Sequence, residues 1–517
     1  MINDIVIVGG GSAGWLCAGI LAAEFRRLDS SPAIRVSVVE SPDVSTIGVG
    51  EGTWPTMRAT LKKIGLSETD FLLCCNASFK QGSTFVGWKT GAPDDYYSHP
   101  FTLPAGFGLH NAHALWQASY PSQSYDWVAG IQGRICDLHL APKQITMPEF
   151  AGALNYGYHL DAGKFTQLLK EHCVNKLGVK HIVDHVEQVK AADNGDISAL
   201  VTRTHGAIEG ELFVDCSGTH SLLLGNHYGV AFKSCRQDSI NDRALAVQVP
   251  YASDDAEIAS TTIATAQKSG WTWDIGLSNR RGVGYVYSSD HADEASIRPE
   301  LETYLSQSVK PEVISDLTFR SLTFEPGHRE KFWHKNCVAV GMSAGFIEPL
   351  EASALALVEL SVTMIRDELP NTRAEMDIVA RRFNEIFSYR WQRIIEFLKL
   401  HYLLSERRDS AYWRAATDIK SASKELQEKL ELWRSRPPYE RDFLHAEEIF
   451  PAASYQYVLY GLGFETRYPD LGRSSFNLEG GREAVMQAQK LYEKYVRSMN
   501  TNRALLNSIK KHGLKKV

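Results

Sequence analysis

The chain reads IVIVGGGSAG at residues 5–14, where an apolar β-branched run leads into a glycine-rich turn. Such a run is typical of a buried parallel strand. The Ala- and Leu-rich stretch from Trp15 to Arg27 predicts a helix, and the run from Ile34 to Val39 predicts a second strand that ends at Glu40. This order of strand, glycine turn, helix, strand and acidic residue is the context in which a GxGxxG pattern indicates a dinucleotide-binding unit.

Each glycine of the turn has a physical role in such a unit. Gly9 allows the tight turn, Gly11 lets the backbone approach a pyrophosphate, and Gly14 lets the helix pack closely on the strand. The helix start supplies free N–H groups and a positive dipole end to a phosphate. Glu40 can accept hydrogen bonds from ribose hydroxyls. The alternative, a glycine turn that binds no ligand, does not account for the complete strand, turn and helix context.

The sequence contains one unit of this kind. Two further glycine pairs, Gly282 to Gly284 and Gly461 to Gly463, lack the third glycine and the surrounding strand and helix. One dinucleotide is therefore expected, either a flavin or a nicotinamide. Two apolar strands that run into small-residue turns, near Asp215 and near Met342, favour a flavin because a cofactor could approach the backbone there. Without an evident NAD(P)H site, the reduced flavin must come from elsewhere.

Composition places the chain among ordinary globular proteins. Its 517 residues are 44% hydrophobic and 22% charged, which excludes a disordered, collagen-like or coiled-coil protein. The formal charge of −6 argues against a nucleic-acid partner. Apolar runs stay well short of the ~20 residues that a membrane helix needs, and we expect no signal peptide. Eight cysteines without a CxxC pair, and histidines without zinc spacing, predict reduced thiols, no metal site and a cytoplasmic protein.

Secondary-structure signals change along the chain. Strand and helix signals alternate over residues 1–375, as they do in an α/β sheet. Over residues 376–517 strand signals nearly vanish, and long, charged, amphipathic stretches predict helices. We therefore expect a dinucleotide-binding α/β domain at 1–375 and a mainly helical domain at 376–517. Within the first, residues 180–204 predict a hairpin around Asn194 and Gly195.

Over most of its length the sequence resembles the flavin-dependent tryptophan halogenases. The motifs that carry the resemblance follow the family's order: GGGSAGW at 9–15, GVGEGT at 48–53, NASFK at 76–80, YSHPF at 97–101, GWTWDI at 270–275, GFIEPLE at 345–351 and HY at 401–402. The resemblance implies a Rossmann-like α/β (α+β) FAD-binding domain of the flavin monooxygenase and halogenase type. A mainly helical part that covers the substrate would follow it.

The resemblance assigns catalytic roles to two residues. Lys80 follows an apolar run, and from composition alone a lysine at the surface is the ordinary interpretation. The family match instead makes Lys80 the lysine that receives hypohalous acid, by a hydrogen bond or as a haloamine. Glu351 precedes a predicted helix, where an acid can simply complement the helix dipole. It matches the glutamate that orients the electrophile with Lys80 and helps to remove the ring proton.

The resemblance also implies binding residues for halide and cofactor. In the family, backbone N–H groups at this helix start hold the halide, and the matching positions are Ser353 and Ala354. The family often has Ser-Thr-Gly where this chain has Ala352, Ser353 and Ala354, and a backbone site survives that change. The implied cofactor-binding residues are Gly9, Gly11, Ser12, Ala13, Gly14, Glu40, Gly50, Val186, Met342 and Leu355.

Aromatic residues are implied on the substrate side. His99 and Phe101 match residues that sandwich the aromatic substrate, and Tyr455 stands where the family usually has a tryptophan. Buried core aromatics are the alternative interpretation for each. Residues 435–454 do not match the family's contacts to the amino and carboxyl groups of tryptophan. We therefore expect a simpler indole or phenol as the substrate.

A further motif concerns the flavin. Trp271, Trp273 and Ile275 match a signature thought to lie behind the flavin and to discourage direct monooxygenation. The proline that usually ends this signature is replaced by Gly276, which is more flexible. Core packing is the alternative interpretation for the two tryptophans.

The reaction that the resemblance implies is halogenation by an FADH2-dependent enzyme. A separate NAD(P)H-dependent flavin reductase would supply the reduced FAD, and O2 with chloride or bromide would give hypohalous acid. Bromide is expected to be favoured because it is the more easily oxidised ion. A homodimer is common in the family. Two alternatives stay open: an FAD-dependent aromatic hydroxylase, and a flavoprotein that acts on a tethered substrate or has no catalytic activity.

Overall fold

The computed structural model of the chain describes residues 2–26, 33–44, 50–92, 94–445, 448–468 and 478–516. The motif residues Gly48 and Val49, and the helix end predicted at Arg27, lie outside these ranges. The strands are β1 (Asp4–Val8), β2 (Arg35–Glu40), β3 (Glu51–Gly52), β4 (Ser78–Lys80), β5 (Gly82–Val86), β6 (Tyr96–Pro100), β7 (Gly157–Leu160), β8 (Lys180–Val183), β9 (Val186–Ala191), β10 (Ile197–Thr202), β11 (Gly206–Glu209), β12 (Leu212–Asp215), β13 (Phe232–Ser234), β14 (Arg243–Pro250), β15 (Thr262–Ala266), β16 (Gly270–Gly276), β17 (Arg280–Tyr287), β18 (Phe319–Thr323), β19 (Gly327–Arg329), β20 (Trp333–His334), β21 (Cys337–Ala339) and β22 (Gly345–Phe346). The α-helices are α1 (Ser12–Glu24), α2 (Thr56–Ile64), α3 (Glu68–Cys74), α4 (Ala112–Ser119), α5 (Tyr125–Ala129), α6 (Gln132–Asp137), α7 (Ala162–Leu177), α8 (Glu294–Ser306), α9 (Pro311–Ser315), α10 (Ser353–Asp367), α11 (Arg373–Leu403), α12 (Ala411–Ala416), α13 (Lys424–Trp433), α14 (Ala452–Gly461), α15 (Leu478–Ser498) and α16 (Asn502–His512).

The chain forms two compact units, and each is assembled from three segments. The first unit consists of residues 1–77, 160–235 and 325–391, and the second of residues 78–159, 236–324 and 392–517. The boundary that we expected near residue 375 lies inside the first unit, within α11. The shift to helices after 376 is present, but it does not coincide with the edge of a unit, because the C-terminal helices share the second unit with a long sheet.

The first unit is built on a six-stranded sheet in the order β20-β21-β12-β1-β2-β8. β1 pairs in parallel with β2 and with β12, and β21 extends the parallel part beyond β12. Ile5 to Val8 are buried in the centre of this sheet, which explains why the strand is β-branched throughout. α1 packs on β1 and β2 and also contacts α7 and α10. This is the parallel α/β arrangement that the opening motif predicts.

Residues 180–204 form two separate features rather than one hairpin. β8 joins the main sheet beside β2, whereas β9 and β10 pair in a small antiparallel sheet with β11. The chain leaves the main sheet at Asp184, whose buried carboxylate accepts hydrogen bonds from the backbone N–H groups of Thr204 and His205. The turn between β9 and β10 lies where we expected it, with Gly195 at a φ of 82°.

The second unit is built on a seven-stranded sheet in the order β18-β14-β17-β16-β15-β5-β6. Its strands are antiparallel except for β15 and β5, which pair in parallel. The face of β14 and β17 packs against α8 in one apolar core, whose central members are Leu245, Val247, Val283, Ile297 and Leu301. Over the ranges that the structure describes, the helices of neither unit combine the length and apolarity needed to cross a bilayer.

Gly14 makes close packing between α1 and the glycine turn possible. A Cβ built at Gly14 would lie 1.9 Å from the carbonyl oxygen of Gly9, a backbone atom that cannot yield as a side chain would. We expect Gly14→Ala to destabilise the protein by about 1–3 kcal/mol, the usual cost of overpacking, and to lower the thermal unfolding midpoint. The matched control is Gly163→Ala in α7, where a Cβ meets its nearest neighbour, the Asp161 carboxylate, at 3.5 Å. Equal midpoints for the two variants would contradict this account of Gly14.

α2 and α10 pack around a buried carboxyl group. Glu359 is 4% exposed and accepts hydrogen bonds from the hydroxyls of Thr56, at 2.9 Å, and of Thr60. Burial raises the pKa of Glu359 to about 7, because the charged form loses its hydration. In the folded protein, Glu359 therefore keeps its proton at pH values below about 7.

The raised pKa of Glu359 predicts a pH-dependent stability. A carboxyl group whose pKa is higher in the folded than in the unfolded chain stabilises fully below pH 4.5 and loses that contribution as the pH rises through about 7. Between pH 5 and pH 8 the wild type should lose up to about 3 kcal/mol relative to Glu359→Gln, which carries no titrating proton. Denaturant unfolding of both proteins at the two pH values measures this difference. If the unfolding free energies of the two proteins change in parallel with pH, the raised pKa of Glu359 is contradicted.

Candidate active site

The glycine turn after β1 opens onto a cavity of ≈ 450 Å³ in the first unit. Gly9 has a φ of 116°, a conformation that favours glycine, and a Cβ there would lie 2.2 Å from the carbonyl oxygen of Cys216. A Cβ built at Gly11 instead meets no atom of the described chain within 4 Å. The turn is therefore tight at Gly9 and open at Gly11, which is the shape that a backbone phosphate site requires.

Most of the residues matched to cofactor and halide surround this one cavity. They are Gly9, Gly11, Ser12, Ala13, Glu40, Val186, Met342, Ser353, Ala354 and Leu355. Gly14 lies behind the turn, and Gly50 stands outside the lining that the described residues form. Residues from five separate parts of the sequence thus converge on a space suited to a long ligand.

Side-chain hydrogen bonds fix two residues of the cavity wall. The Glu40 carboxylate accepts a hydrogen bond from the ring of His181 at 2.6 Å and lies 3.4 Å from the ammonium of Lys170. These partners hold Glu40 at the end of β2. The Ser12 hydroxyl is hydrogen-bonded to Thr166 at 2.8 Å, so this side chain ties α1 to α7.

The two small-residue turns predicted near Asp215 and Met342 both reach the cavity. The buried Asp215 carboxylate accepts hydrogen bonds from the backbone N–H groups of Leu223 and Leu224, each at 2.9 Å. These bonds organise the turn after β12, which lines the cavity through its small residues. In the second turn, a Cβ at Gly341 would lie 2.8 Å from the Cβ of Ala13, so glycine lets this turn lie against the start of α1.

The start of α10 forms another part of the cavity wall. Ala352 takes a left-handed φ of 53° before the helix, and within the described chain no side chain caps the first turn that Ser353 and Ala354 begin. Such a turn has free N–H groups and a positive dipole end, which suits an anion. The Trp54 indole donates a hydrogen bond to the carbonyl oxygen of Glu351 at 2.9 Å and fixes the segment before the helix. Glu351 itself is 6% exposed.

Lys80 ends β4 in the second unit and is 1% exposed, which excludes the surface lysine that composition alone suggested. Its ammonium nitrogen lies 5.7 Å from the centre of the Phe101 ring. β4 pairs with β7, with Lys80 opposite Gly157 and Ser78 opposite His159. Burial, and then the charge of Lys80, hold the pKa of His159 well below its usual 6.5, so this neighbour stays uncharged.

The three aromatic residues matched to the substrate lie in different surroundings. The ring of His99, which is 6% exposed, lies 5.7 Å from that of Phe397. Phe101 is half-buried beside Lys80. Tyr455 is 1% exposed, and the centre of its ring lies 4.9 Å from that of Phe397. Two further rings pack on Tyr455: Trp433 and Phe443. Tyr455 is thus an integral part of the aromatic core.

The residues matched to the flavin-backing signature lie together on one buried strand, β16: Trp271, Trp273 and Ile275. A Cβ at Gly284 on the adjacent strand would lie 2.1 Å from the ring of Trp273, so glycine there makes room for the indole. The carbonyl of Gly276 accepts a hydrogen bond from the Ser78 hydroxyl at 2.5 Å. Within the second unit, the signature is core packing that also braces the strand of Lys80.

Sequence reasoning missed the apolar end of the first-unit cavity. Phe332, Phe387 and Trp391 line it, although they belong to no motif. Phe387 and Trp391 are four residues apart on α11, which places them on one face of the helix. The amphipathic pattern of α11 carries that signal, but it does not tell a core face from a cavity wall.

Comparison with known proteins agrees with this geometry. The sequence profile of the family described as tryptophan halogenase matches residues 4–474. The tryptophan 6-halogenase of Streptomyces toxytricini is 32% identical over 482 residues, which cover 89% of each chain. The crystal structure of a tryptophan halogenase from Shewanella frigidimarina is 46% identical, with a TM-score of 0.96 over 100% of this chain and 99% of that one. A flavin-dependent halogenase from Xanthomonas campestris is 27% identical, with a TM-score of 0.85 over 100% of this chain and 99% of that one. The chain belongs to the tryptophan halogenase family and, with its Rossmann-like α/β fold, is an FADH2-dependent halogenase that uses O2 and halide.

Proposed function

We propose that the protein halogenates a small electron-rich aromatic compound such as indole, with Lys80 and Glu351 as its catalytic residues. The observation that carries the proposal is the burial of Lys80, which is 1% exposed and lies next to the Phe101 ring. Burying an ammonium group costs free energy, and Lys80 is buried at the position that matches the family's catalytic lysine, beside a histidine that stays uncharged. An aromatic neighbour at the same place suits a flat substrate ring.

The cavity of the first unit would hold FAD. The open backbone at Gly11 and the start of α1, at Ser12 and Ala13, would hold the pyrophosphate, and Glu40 the ribose hydroxyls. Further contacts would come from Gly50, Val186, Met342 and Leu355, while Gly9 and Gly14 shape the turn. Reduced FAD, when bound, would supply two of the four electrons that O2 takes up, and halide would supply the other two as it becomes hypohalous acid. We propose that a separate NAD(P)H-dependent reductase delivers it, since the sequence has one dinucleotide turn.

The halide would bind to the backbone N–H groups of Ser353 and Ala354. Both residues line the cavity, and the first turn of α10 is not capped by a side chain of the described structure. Such a site binds an anion through main-chain N–H groups and the helix dipole, without a side-chain contact. Alanine at positions 352 and 354 is therefore compatible with it. Bromide is proposed as the better substrate because it is the more easily oxidised ion.

The two catalytic residues would act in sequence on the aromatic ring. Lys80 would present the electrophilic halogen to a ring carbon, either by a hydrogen bond from its nitrogen or as a haloamine. Glu351 would then accept the proton that the ring carbon loses, which restores aromaticity. The neutral ring of His159 adds no second positive charge beside Lys80. His99 and Phe101 would hold the substrate ring, and the strand of Trp271, Trp273 and Ile275 would back the flavin.

The choice of a small substrate rests on the segment at 435–454. Tryptophan would bring a charged carboxylate and ammonium group that need partners when they leave water. Arg436, a cation in this segment, donates two hydrogen bonds to the Asp442 carboxylate, at 2.5 and 2.8 Å. This guanidinium is therefore engaged within the protein. Tyr455, buried among core rings, would shape the site through Phe397.

The function is tested by product analysis with and without halide. The protein, FAD, NADH, a flavin reductase, O2 and indole are combined with bromide, with chloride or with neither, and products are identified by mass spectrometry. We expect brominated indole, less chlorinated indole, and no product without halide. An oxygenated product that forms without halide would overturn the proposal and establish a hydroxylase. Halogenation confined to a carrier-bound ring would establish the tethered-substrate alternative.

Lys80→Met should lower halogenation at least about 100-fold while FAD binding and NADH-driven oxygen consumption continue, because the electrophile forms but is not presented. Glu351→Gln should cause a loss of about the same size through the missing proton acceptor. The matched control is Lys143→Met, which removes another buried lysine of the second unit, one that donates to the carbonyl of Pro148 at 2.8 Å. The control should keep its activity. Normal product formation by Lys80→Met would refute the role of Lys80.

The substrate class gives a separate prediction. Indole should have a kcat/KM about 10- to 100-fold higher than tryptophan, because the charged groups of tryptophan would be left without matching partners. Phe101→Ala should raise the KM for indole while FAD affinity stays unchanged. Steady-state kinetics with bromide and saturating reduced FAD measure both effects. A preference for tryptophan would exclude the small-substrate assignment.

A further inference from the structure

Two thiols touch beside the cavity of the first unit. Cys17 lies on α1, and Cys216 follows β12 directly. Their sulfur atoms are 3.8 Å apart, which is van der Waals contact. Cys17 is fully buried, whereas Cys216 is 8% exposed and forms part of the cavity wall. A buried pair of this kind therefore has one member at the wall of the proposed flavin site and the other directly behind it.

The surroundings of the pair determine which oxidants can reach it. The hydrogen bond with Cys17, and then burial, raise the pKa of the Cys216 thiol well above its usual 9, so it is protonated at neutral pH. Protonation slows the reaction of a thiol with any oxidant, and burial in addition shields it from oxidants that arrive from solvent. An oxidant produced inside the cavity reaches Cys216 without crossing the protein surface. Reduced flavin and O2, which this enzyme uses, give hydrogen peroxide when no halide is oxidised.

We propose that Cys17 and Cys216 are an oxidisable thiol pair that closes to a disulfide when peroxide forms in the cofactor cavity. The proposal rests on the placement of FAD in that cavity. In the first step, peroxide oxidises Cys216 to a sulfenic acid, an S–O bond forms, the O–O bond breaks, and one water leaves. In the second, the sulfur of Cys17 attacks that of Cys216, the S–O bond breaks, and the thiol proton leaves with the oxygen as a second water. Two thiols thus supply the two electrons that reduce one peroxide.

The disulfide should disturb the cofactor turn. Bond formation brings the two sulfur atoms from 3.8 Å to about 2.0 Å. The backbone of Cys216 packs directly on the cofactor turn, because a Cβ built at Gly9 would lie 2.2 Å from the carbonyl oxygen of Cys216 and only glycine permits so close an approach. A shift of Cys216 therefore shifts the turn that would hold the pyrophosphate. Reduction of the disulfide restores the original packing, so the effect is reversible.

The test is turnover without halide. The full-length enzyme is incubated with FAD, NADH, a flavin reductase, O2 and catalase, which removes peroxide from the solvent. The protein is then denatured with an alkylating reagent and mapped by mass spectrometry without reduction. We expect a cross-linked Cys17–Cys216 peptide and FAD retention lowered by about tenfold, the loss that follows when a hydrogen bond to a charged group is weakened. Dithiothreitol should restore retention.

Cys17→Ala is the control, because it removes one sulfur without touching the cavity wall. This variant should form no cross-link and show no loss that dithiothreitol recovers. The proposal is overturned if both thiols stay alkylatable while the exposed Cys74 is oxidised, if Cys216 pairs with Cys337 instead, or if catalase abolishes the cross-link. A bromide and indole assay on the same preparation reports the proposed function separately. If the bromide assay gives brominated indole but halide-free turnover gives no cross-link, the thiol pair alone is refuted. If halide-free turnover gives the cross-link but the bromide assay gives no brominated indole, the proposed halogenation alone is refuted.

Discussion

The first unit depends on backbone packing at positions where a side chain would not fit. The start of α1 lies against the glycine turn because Gly14 leaves room for the carbonyl of Gly9, and the turn lies against β12 because Gly9 leaves room for Cys216. Gly341 brings a third segment against Ala13 in the same way. Three glycines, each without a side chain at a point of close approach, thus bring the ends of distant strands to one place. The cavity forms where these backbones meet, and the glycine turn and the start of α10 both line it.

The charged groups of the two units include two contrasting cases. In the first, acidic groups are held by partners within the fold: Asp215 by backbone N–H groups, and Glu40 by His181 and Lys170. In the second, Lys80 is buried beside an aromatic ring and a neutral histidine. A carboxylate with several donors is a structural element. A lysine beside an aromatic ring and an uncharged histidine can serve as a hydrogen-bond donor or as a nucleophile.

Local patterns made part of the structure predictable. The strand, glycine turn, helix and strand from β1 to β2 follow from adjacent residues, so sequence alone was sufficient there. The burial of Lys80 was not predictable from its neighbours, because it arises from the pairing of β4 with β7, which lie about eighty residues apart. The surroundings of Tyr455 were not predictable for the same reason. The aromatic rings that contact it lie on α11, on α13 and in the loop after α13. The resemblance supplied the chemical roles, which the contacts alone do not contain.

The assembly of each unit from three segments has a consequence for biosynthesis. β21, which pairs with β12 in the central sheet, leaves the ribosome only after more than 330 residues have been made. The N-terminal strands of the first unit therefore lack β21 as a partner in their sheet during the synthesis of about half of the second unit. A chain cut at residue 375 would end within α11 and would separate the sheet of the second unit from its C-terminal helices. A chimera of two relatives would need several crossover points, at the ends of these segments. A single crossover within the chain would leave at least one unit assembled from segments of both relatives.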